Sequence, residues 1–310
     1  MIVNQVVPIN AIHGKASPGL KKVAPENWGD KDQEDVGPDW TILYGEWRCG
    51  KTNCYLDLIQ TAHMINPETR AFVISTDLAV KRNIQEFPYL SAVGCVTVKS
   101  CTTADEVMDA TALLGSGFLN RNDWVIVDLA SRVWDWMPDY FARKALKKPG
   151  GSDQIEQERA DDESVKNKGN AMISYYKDGI NPMFRKWEER VRTLGANVIM
   201  VCGENEVAEE EIRNVRKKDK NQVIRQFIKV GKLPRMQKEV PFDYHSIFYI
   251  SRPYADRFFV QTVGERGRKW LLEKRELNPK DPKTGIRSQV GFGDIYLKEL
   301  CGLTEAEDYT

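Results

Sequence analysis

Residues Gly45–Thr52 read GEWRCGKT, which fits the pattern G-x-x-x-x-G-K-[S/T] at every fixed position. The apolar run Trp40–Tyr44 comes directly before this stretch, and the segment Thr52–Met64 after it spaces its apolar residues like a helix. A strand is therefore predicted before the loop and a helix after it. Two glycines let such a loop curl, so that successive N–H groups and the helix N-terminus face one anion. The sequence thus predicts a phosphate-binding loop.

The residue types of this loop suit a magnesium–nucleotide complex. Lys51 is expected to reach the β- and γ-phosphates of ATP, and the Thr52 hydroxyl is expected to ligate Mg²⁺. The alternative is a glycine-rich turn that carries a solvated lysine. The predicted cofactors are therefore ATP and Mg²⁺, and the residues predicted to bind the nucleotide are Gly45, Glu46, Trp47, Arg48, Cys49, Gly50, Lys51, Thr52 and Asn53.

Polar residues follow three further apolar runs. Asp128 ends the run from Trp124, and a carboxylate at the end of a buried strand next to the loop-bearing strand can hold a magnesium water. The alternative for Asp128 is the start of a turn or helix. Asp77 follows AFVIST and is expected either to activate the attacking water or to cap the next segment, or to do both. Glu204 and Asn205 either sense the γ-phosphate or open a surface loop.

Uninterrupted Val/Ile runs separated by helical stretches predict an α/β domain over residues 39–277, with a mainly parallel sheet flanked by helices. The aromatic runs SIFYIS, RFFVQTV and KWLLEKREL of the last third predict antiparallel strands at the sheet edge. The other expected elements are strands at Ala71–Thr76, Gly94–Lys99, Val125–Val127 and Ala196–Gly203, and helices at Ala104–Leu114 (after the N-cap Thr103) and Pro182–Leu194.

Four segments interrupt or flank this pattern. Residues 1–38 predict an extended N-terminal arm, and residues 278–310 a C-terminal extension. The charged segments 144–170 and 204–232 are predicted to be long inserted loops, which are usually functional or disordered.

The composition narrows the possible partners. Lys+Arg and Asp+Glu both number 45, so net charge gives no argument for a polyanionic partner. Six cysteines without a C-x-x-C pair and three histidines form no zinc pattern. No stretch approaches 18 consecutive apolar residues, and the N-terminus lacks the features of a signal peptide. A cytoplasmic protein without a membrane partner is expected.

The order of these elements resembles the RecA-type ATPases, and in particular the phage-encoded, AAA-labelled, RecA-like ATPases of recombination by single-strand annealing. The resemblance covers about residues 40–277. It rests on the loop, Thr76-Asp77, Asp128, the polar pair, the basic loop and the closing strands, and on Gly231–Ser251 with its Gly-Lys-x-Pro segment. The chain departs from the family at Glu273, Gly203, Trp47 and Arg48.

The resemblance implies a Mg²⁺-dependent ATPase on a RecA-like sheet that forms a ring or filament. It implies action on DNA, single-stranded more than double-stranded, in the recombination or replication of a phage or its host, and hence location in the host cytoplasm. It also implies that Lys274 and Arg275 reach the γ-phosphate of a neighbouring subunit. The catalytic residues expected are Lys51, Asp77, Asp128, Lys274 and Arg275.

The two charged insertions fall where RecA-type rings face DNA. Residues 213–232 carry eight Lys or Arg against one acidic residue, which would neutralise phosphates, unless they form a solvated face. The aromatic run Trp134, Trp136, Tyr140 and Phe141 either stacks on bases or, as its helical spacing favours, packs in the core.

Three other functions remain open from the sequence. They are a viral DNA-translocating or packaging motor, a P-loop kinase with residues 144–170 as a lid over an acceptor, and a non-catalytic, nucleotide-bound structural subunit. A kinase is expected to be monomeric or dimeric and to respond to a phosphoryl acceptor. A recombination ATPase or a motor is expected to oligomerise and to respond to polynucleotide.

Overall fold

The computed structural model of the chain describes residues 38–77, 79–152, 175–217, 220–265, 274–281, 284, 288 and 290–301. Its strands are β1 (Trp40–Gly45), β2 (Ala71–Ser75), β3 (Val96–Ser100), β4 (Trp124–Asp128), β5 (Asn197–Cys202), β6 (Glu204–Lys217), β7 (Lys220–Pro234), β8 (Ser246–Tyr254), β9 (Arg257–Glu265) and β10 (Arg275–Leu277). Its α-helices are α1 (Lys51–Ile65), α2 (Val80–Asn83), α3 (Pro88–Val93), α4 (Ala104–Leu114), α5 (Ala130–Lys144) and α6 (Asn181–Arg192). Short 3-10 segments cover Ile84–Glu86 and Val240–Asp243, and π-helical segments cover Tyr175–Ile180 and Asp294–Leu300.

One eight-stranded sheet forms the centre of the fold, in the order β10-β9-β8-β1-β5-β4-β2-β3. Neighbouring strands from β8 to β3 are parallel, whereas β9 and β10 are antiparallel to their neighbours. The expected α/β class with a mainly parallel sheet is therefore confirmed. Because β1, β2, β4 and β5 run in one direction, their carboxyl ends lie at the same edge of the sheet.

Helices cover both faces of this sheet, which is why its central strands are apolar without alternation. Strands β1, β4 and β5 are buried along almost their whole length. Successive side chains of β1 serve opposite layers: Ile42 and Tyr44 pack with α4, α5 and α6, whereas Leu43 packs with α1 and the segment Asp294–Leu300. The apolar runs are therefore uninterrupted, because each of these residues packs into one of the two helical layers.

Helix α4 has the predicted bounds and the predicted cap. The Thr103 hydroxyl accepts a hydrogen bond from the Glu106 N–H at 3.3 Å. Such a cap satisfies one of the N–H groups that have no partner within the helix.

The run SIFYIS, predicted to be an antiparallel strand at the sheet edge, instead forms the parallel strand β8. It lies between β1 and β9 and pairs in parallel with β1, from Thr41↔Ser246 to Gly45↔Ile250. Its first residues are all buried, as in the other central strands. The antiparallel part of the sheet therefore starts one strand later, at β9. Of KWLLEKREL, residues 269–273 lie outside the described part of the chain, and Arg275–Leu277 pairs antiparallel with β9 as expected.

The segment 204–232 is not a loop. It forms most of a separate two-stranded antiparallel ribbon, β6–β7, paired from Glu204↔Pro234 to Lys217↔Lys220 with an irregularity at Val207/Ala208. The prediction was wrong because the many charged residues hide the apolar alternation by which strands are identified, whereas backbone pairing is independent of side-chain charge. Of the other predicted segments, residues 1–37, 153–170 and 302–310 lie outside the described residues.

Two further features concern the cysteines and membrane association. All six cysteines lie within the described residues, and Cys49, Cys54, Cys101 and Cys202 are buried free thiols. In the part of the chain that the structure describes, no helix is both long and apolar enough to cross a membrane.

The aromatic run of α5 packs against the core, as its spacing favours. Trp134, Trp136, Tyr140 and Phe141 are partly buried against the layer of α4 and α6. The Trp134 ring meets the Phe184 ring edge-on, with 5.1 Å between centroids.

A substitution of Trp134 tests this assignment. Trp134→Ala is expected to lower the free energy of unfolding by about 2 kcal/mol, because a half-buried ring is removed from the core. The control Trp47→Ala, at a residue that is 88% exposed, should change it by less than about 0.5 kcal/mol. Urea denaturation measures both. Unchanged stability in Trp134→Ala, together with weaker binding of single-stranded DNA, would instead support base stacking.

Candidate functional site

The loop between β1 and α1 depends on both of its glycines. A Cβ at Gly45 would lie 2.0 Å from the Ile250 carbonyl oxygen of β8, so the backbones approach too closely for any side chain. Gly50 has φ 92°, in the region that favours glycine, and it precedes α1 without any side-chain cap. The first N–H groups of a 15-residue helix are thus left for a ligand.

Lys51 is folded into this loop. Its Nζ donates to the Gly45 carbonyl at 2.9 Å and to the Glu46 carbonyl at 2.6 Å, and the residue is only 8% exposed. Both acceptors are neutral, whereas phosphate oxygens are charged and form stronger hydrogen bonds with an ammonium. The lysine is therefore placed at the loop and is held by contacts that an anion can replace.

Asp128 meets the loop-bearing helix at the carboxyl end of β4. The Thr52 hydroxyl donates to Asp128 Oδ2 at 3.4 Å, and the Tyr55 hydroxyl donates to the same oxygen at 2.9 Å. Burial, reinforced by the charge of Asp77, raises the pKa of Asp128 to about 7. Strand β4 is not next to β1 as expected, because β5 lies between them. The residue that follows β5 in the cleft is Gly203, which has no side chain.

These groups fit Mg²⁺. Magnesium takes one or two carboxylates and completes its shell with phosphates and water. Thr52 and Asp128 provide a hydroxyl and a carboxylate, and a cation would stabilise the charge that burial disfavours. Among the described residues, no group of three or more His, Cys, Asp or Glu side chains could hold a metal alone. The site therefore suits a metal that arrives with a polyphosphate.

Asp77 lies in the same cleft and also makes a local turn contact. Its Oδ1 accepts from the Ala79 N–H at 3.0 Å, just before α2. This contact belongs to a local turn and is not a cap of α2, whose N-cap is Ala79. Both carboxylates line the cleft, and the charge of Asp77 contributes to the raised pKa of Asp128. Both roles predicted for Asp77, in capping and in hydrolysis, stay predictions.

An arginine that the sequence reasoning missed ties the ends of β2 and β4 together. Arg132 donates to the Thr76 carbonyl at 2.6 Å, and the Thr76 hydroxyl donates to the Asp128 carbonyl at 3.0 Å. Leu129, the residue after Asp128, has φ 65°, a left-handed conformation that is unusual for leucine. Such backbone strain is characteristic of functional sites.

The polar pair after β5 separates in the structure. Glu204 lines the cleft, whereas Asn205 is exposed and is not among the lining residues. Glu204 Oε1 lies 2.6 Å from Nζ of Lys232, which also lies 2.7 Å from Glu46 Oε1. Burial lowers the pKa of Lys232, but these carboxylates and Tyr249 outweigh it and raise that pKa well above its usual range.

Together these elements enclose a cleft of ≈ 1050 Å³ at the carboxyl edge of the sheet. All nine residues predicted to bind the nucleotide line it, with Asp77 and Asp128. Sequence reasoning missed the remaining basic and aromatic lining residues, which come from distant segments: Arg82, Arg132, Arg235, Arg252 and Phe258. Tyr55 was also missed, although its position one turn after Thr52 on α1 could have identified it.

The predicted trans-acting pair lies elsewhere. Neither Lys274 nor Arg275 is among the residues that line the cleft. Arg275 Nη2 lies 2.6 Å from each carboxylate oxygen of Glu299. The neighbouring Glu276 pairs with Arg257, and Glu273 lies outside the described residues. The trans role of Lys274 and Arg275 stays a prediction.

Comparison of the chain with protein-family models and with curated proteins finds no match. The geometry of the cleft therefore carries the functional argument. An uncapped helix N-terminus, a lysine and a hydroxyl–carboxylate pair within one cleft can hold a magnesium–nucleoside polyphosphate.

Lys51→Ala tests the loop. The variant is expected to lose MgATP binding, because the ammonium compensates charge at the β- and γ-phosphates. Equilibrium binding of a fluorescent ATP analogue measures the effect, and circular dichroism checks the fold. The control Lys81→Ala removes an exposed ammonium from α2 and should bind like the wild type. Wild-type affinity in Lys51→Ala would refute the assignment.

Two further variants distinguish the predicted roles of the Asp128 and Asp77 carboxylates. Asp128→Asn should raise the Mg²⁺ concentration needed for nucleotide binding, because a metal ligand is weakened. Asp77→Asn keeps an oxygen that can accept from the Ala79 N–H, so stability and MgATP affinity should hold while hydrolysis slows by about 10²-fold or more. Wild-type turnover in Asp77→Asn would leave Asp77 with a structural role alone.

Proposed function

We propose that the chain is a P-loop ATPase with a RecA-like core that acts on DNA in an oligomer. One observation carries the ATPase proposal: the Thr52 hydroxyl and the buried Asp128 carboxylate meet beside a loop whose N–H groups and lysine are available to phosphates. Mg²⁺ held there would supply charge neutralisation at the β- and γ-phosphates. Lys51 binds the phosphates, and Asp77 orients the attacking water.

The order of the elements supports a RecA-like core. The loop follows β1, Asp77 follows β2, Asp128 ends β4, and Glu204 follows β5, so all four groups come to one cleft. The ribbon β6–β7 leaves directly from this cleft, because Glu204 begins β6 and Lys232 and Arg235 lie at the end of β7 or beside it. A DNA-contacting element there would be linked to the nucleotide.

The sequence of the ribbon supports polynucleotide as the partner. Residues 213–232 carry eight Lys or Arg against one acidic residue, in a chain whose Lys+Arg and Asp+Glu both number 45. Such local segregation of charge is what binding to a phosphate backbone requires.

ATP hydrolysis measured without DNA, with single-stranded DNA and with double-stranded DNA tests the proposal, alongside the oligomer mass from light scattering. An oligomer whose turnover rises most with single-stranded DNA is expected, and Lys51→Ala in parallel controls for contaminating ATPases. Double-stranded DNA as the better activator would favour a translocating motor. A monomer whose ATP hydrolysis does not change with either DNA would contradict the DNA-acting part of the proposal. Turnover stimulated by a phosphoryl acceptor would favour a kinase.

The ribbon has its own test. The variant with Arg213, Arg216, Lys217 and Lys220 all changed to Gln should bind single-stranded DNA more weakly and with a shallower salt dependence. The slope of log affinity against log salt should fall by about 0.7 for each phosphate that the variant no longer neutralises. Lys81→Gln with Lys238→Gln removes exposed lysines elsewhere and should leave the slope unchanged. An unchanged slope in the ribbon variant would assign the DNA surface elsewhere.

A further inference from the structure

One ammonium group joins the ribbon to the phosphate loop. The Lys232 side chain, near the end of β7, is 11% exposed. Its Nζ lies 2.7 Å from Glu46 Oε1 in the loop and 2.6 Å from Glu204 Oε1 at the start of β6. It also donates to the Tyr249 hydroxyl on β8, at 3.2 Å. Lys232 therefore lies between one acidic side chain of the phosphate loop and another that lines the same cleft.

These two carboxylates present a problem for an anion-binding loop. Glu46 belongs to the loop itself, and Glu204 lines the same cleft. A triphosphate adds further negative charge, and like charges repel strongly where water is partly excluded. Glu204 Oε2 is buried and has no hydrogen-bond partner among the described residues, so Lys232 is the group that compensates its charge.

We propose that Lys232 is a positioning residue for the nucleotide, which offsets one of the two negative charges of Glu46 and Glu204 and so keeps the phosphate loop receptive to a triphosphate. The inference rests on the proposed ATP binding. Lys232 is part of β7. The root of the ribbon, which is its end next to the cleft with Glu204 and Lys232, must therefore be in place for the loop to bind nucleotide well. Because coupled equilibria are reciprocal, bound nucleotide in turn stabilises that root.

The role of the ammonium can be separated from anchoring of the strand. The Tyr44 hydroxyl donates to the Lys232 carbonyl at 3.1 Å, and the Arg235 N–H donates to the Gly203 carbonyl at 2.8 Å. Both bonds use backbone groups of β7 or of the residue that follows it. The ammonium can therefore be removed while these backbone contacts hold the root of the ribbon.

The net charge of the cluster predicts an order of affinities. Two carboxylates and one ammonium leave one net negative charge in the wild type. Lys232→Met leaves two, and should weaken MgATP binding by about tenfold or more. The triple variant Lys232→Met/Glu46→Gln/Glu204→Gln leaves none and should return to within about threefold of the wild type or better. A merely structural lysine would leave the triple variant as weak as Lys232→Met.

Glu46→Gln provides a second variant that does not depend on a buried change, because the Glu46 side chain is 50% exposed. It leaves no net charge in the cluster and should bind MgATP about fivefold more tightly than the wild type, with a smaller gain for MgADP. If Lys232→Met does not fold, the MgATP affinity of Glu46→Gln alone tests the role of Lys232.

Titration calorimetry of these variants with MgATP and MgADP distinguishes the possible failures. No binding by the wild type would refute the proposed function. Binding by the wild type with equal affinity in Lys232→Met, no recovery in the triple variant, or no gain in Glu46→Gln would overturn the role of Lys232.

Discussion

The contact of Thr52 and Tyr55 with the buried carboxylate of Asp128 is the interaction on which the site depends. Asp128 is 1% exposed, and such burial is unfavourable for a charge unless partners compensate it. Two hydroxyl donors compensate only in part, since the pKa of Asp128 remains raised, to about 7. The fold thus keeps at the end of β4 a buried carboxylate that a cation would stabilise. This burial lowers the stability of the folded protein, and a bound magnesium–nucleotide complex would reverse that loss.

The parallel sheet makes this arrangement possible. Strands β1, β2, β4 and β5 end at one edge, so residues that lie far apart in the chain meet within one cleft. Close packing then restricts the loop, because the Ile250 carbonyl of β8 leaves no room for a side chain at Gly45. The same edge carries the ribbon, whose lysine Lys232 contacts the loop through Glu46. The loop and the ribbon are therefore parts of one electrostatic unit.

Local signals made much of this predictable from the sequence. The loop has fixed spacing, Asp128 ends an uninterrupted apolar run, and Thr103 directly precedes α4, so each could be placed from its neighbours. The direction of β8 could not, because it depends on how the chain crosses after the ribbon. Charged residues hid the ribbon strands. The contacts of Arg132 and Lys232 join segments far apart in sequence, and only the folded sheet brings them together.

The most direct measurement of the central claim is titration calorimetry of the wild-type protein with ATP, in the presence of Mg²⁺ and again with excess EDTA. The account predicts one saturable site per chain that binds MgATP and that weakens markedly when Mg²⁺ is removed, because Thr52 and Asp128 then lose the cation that joins them to the phosphates. No saturable binding of MgATP at millimolar concentration, or binding that is indifferent to Mg²⁺, would contradict it.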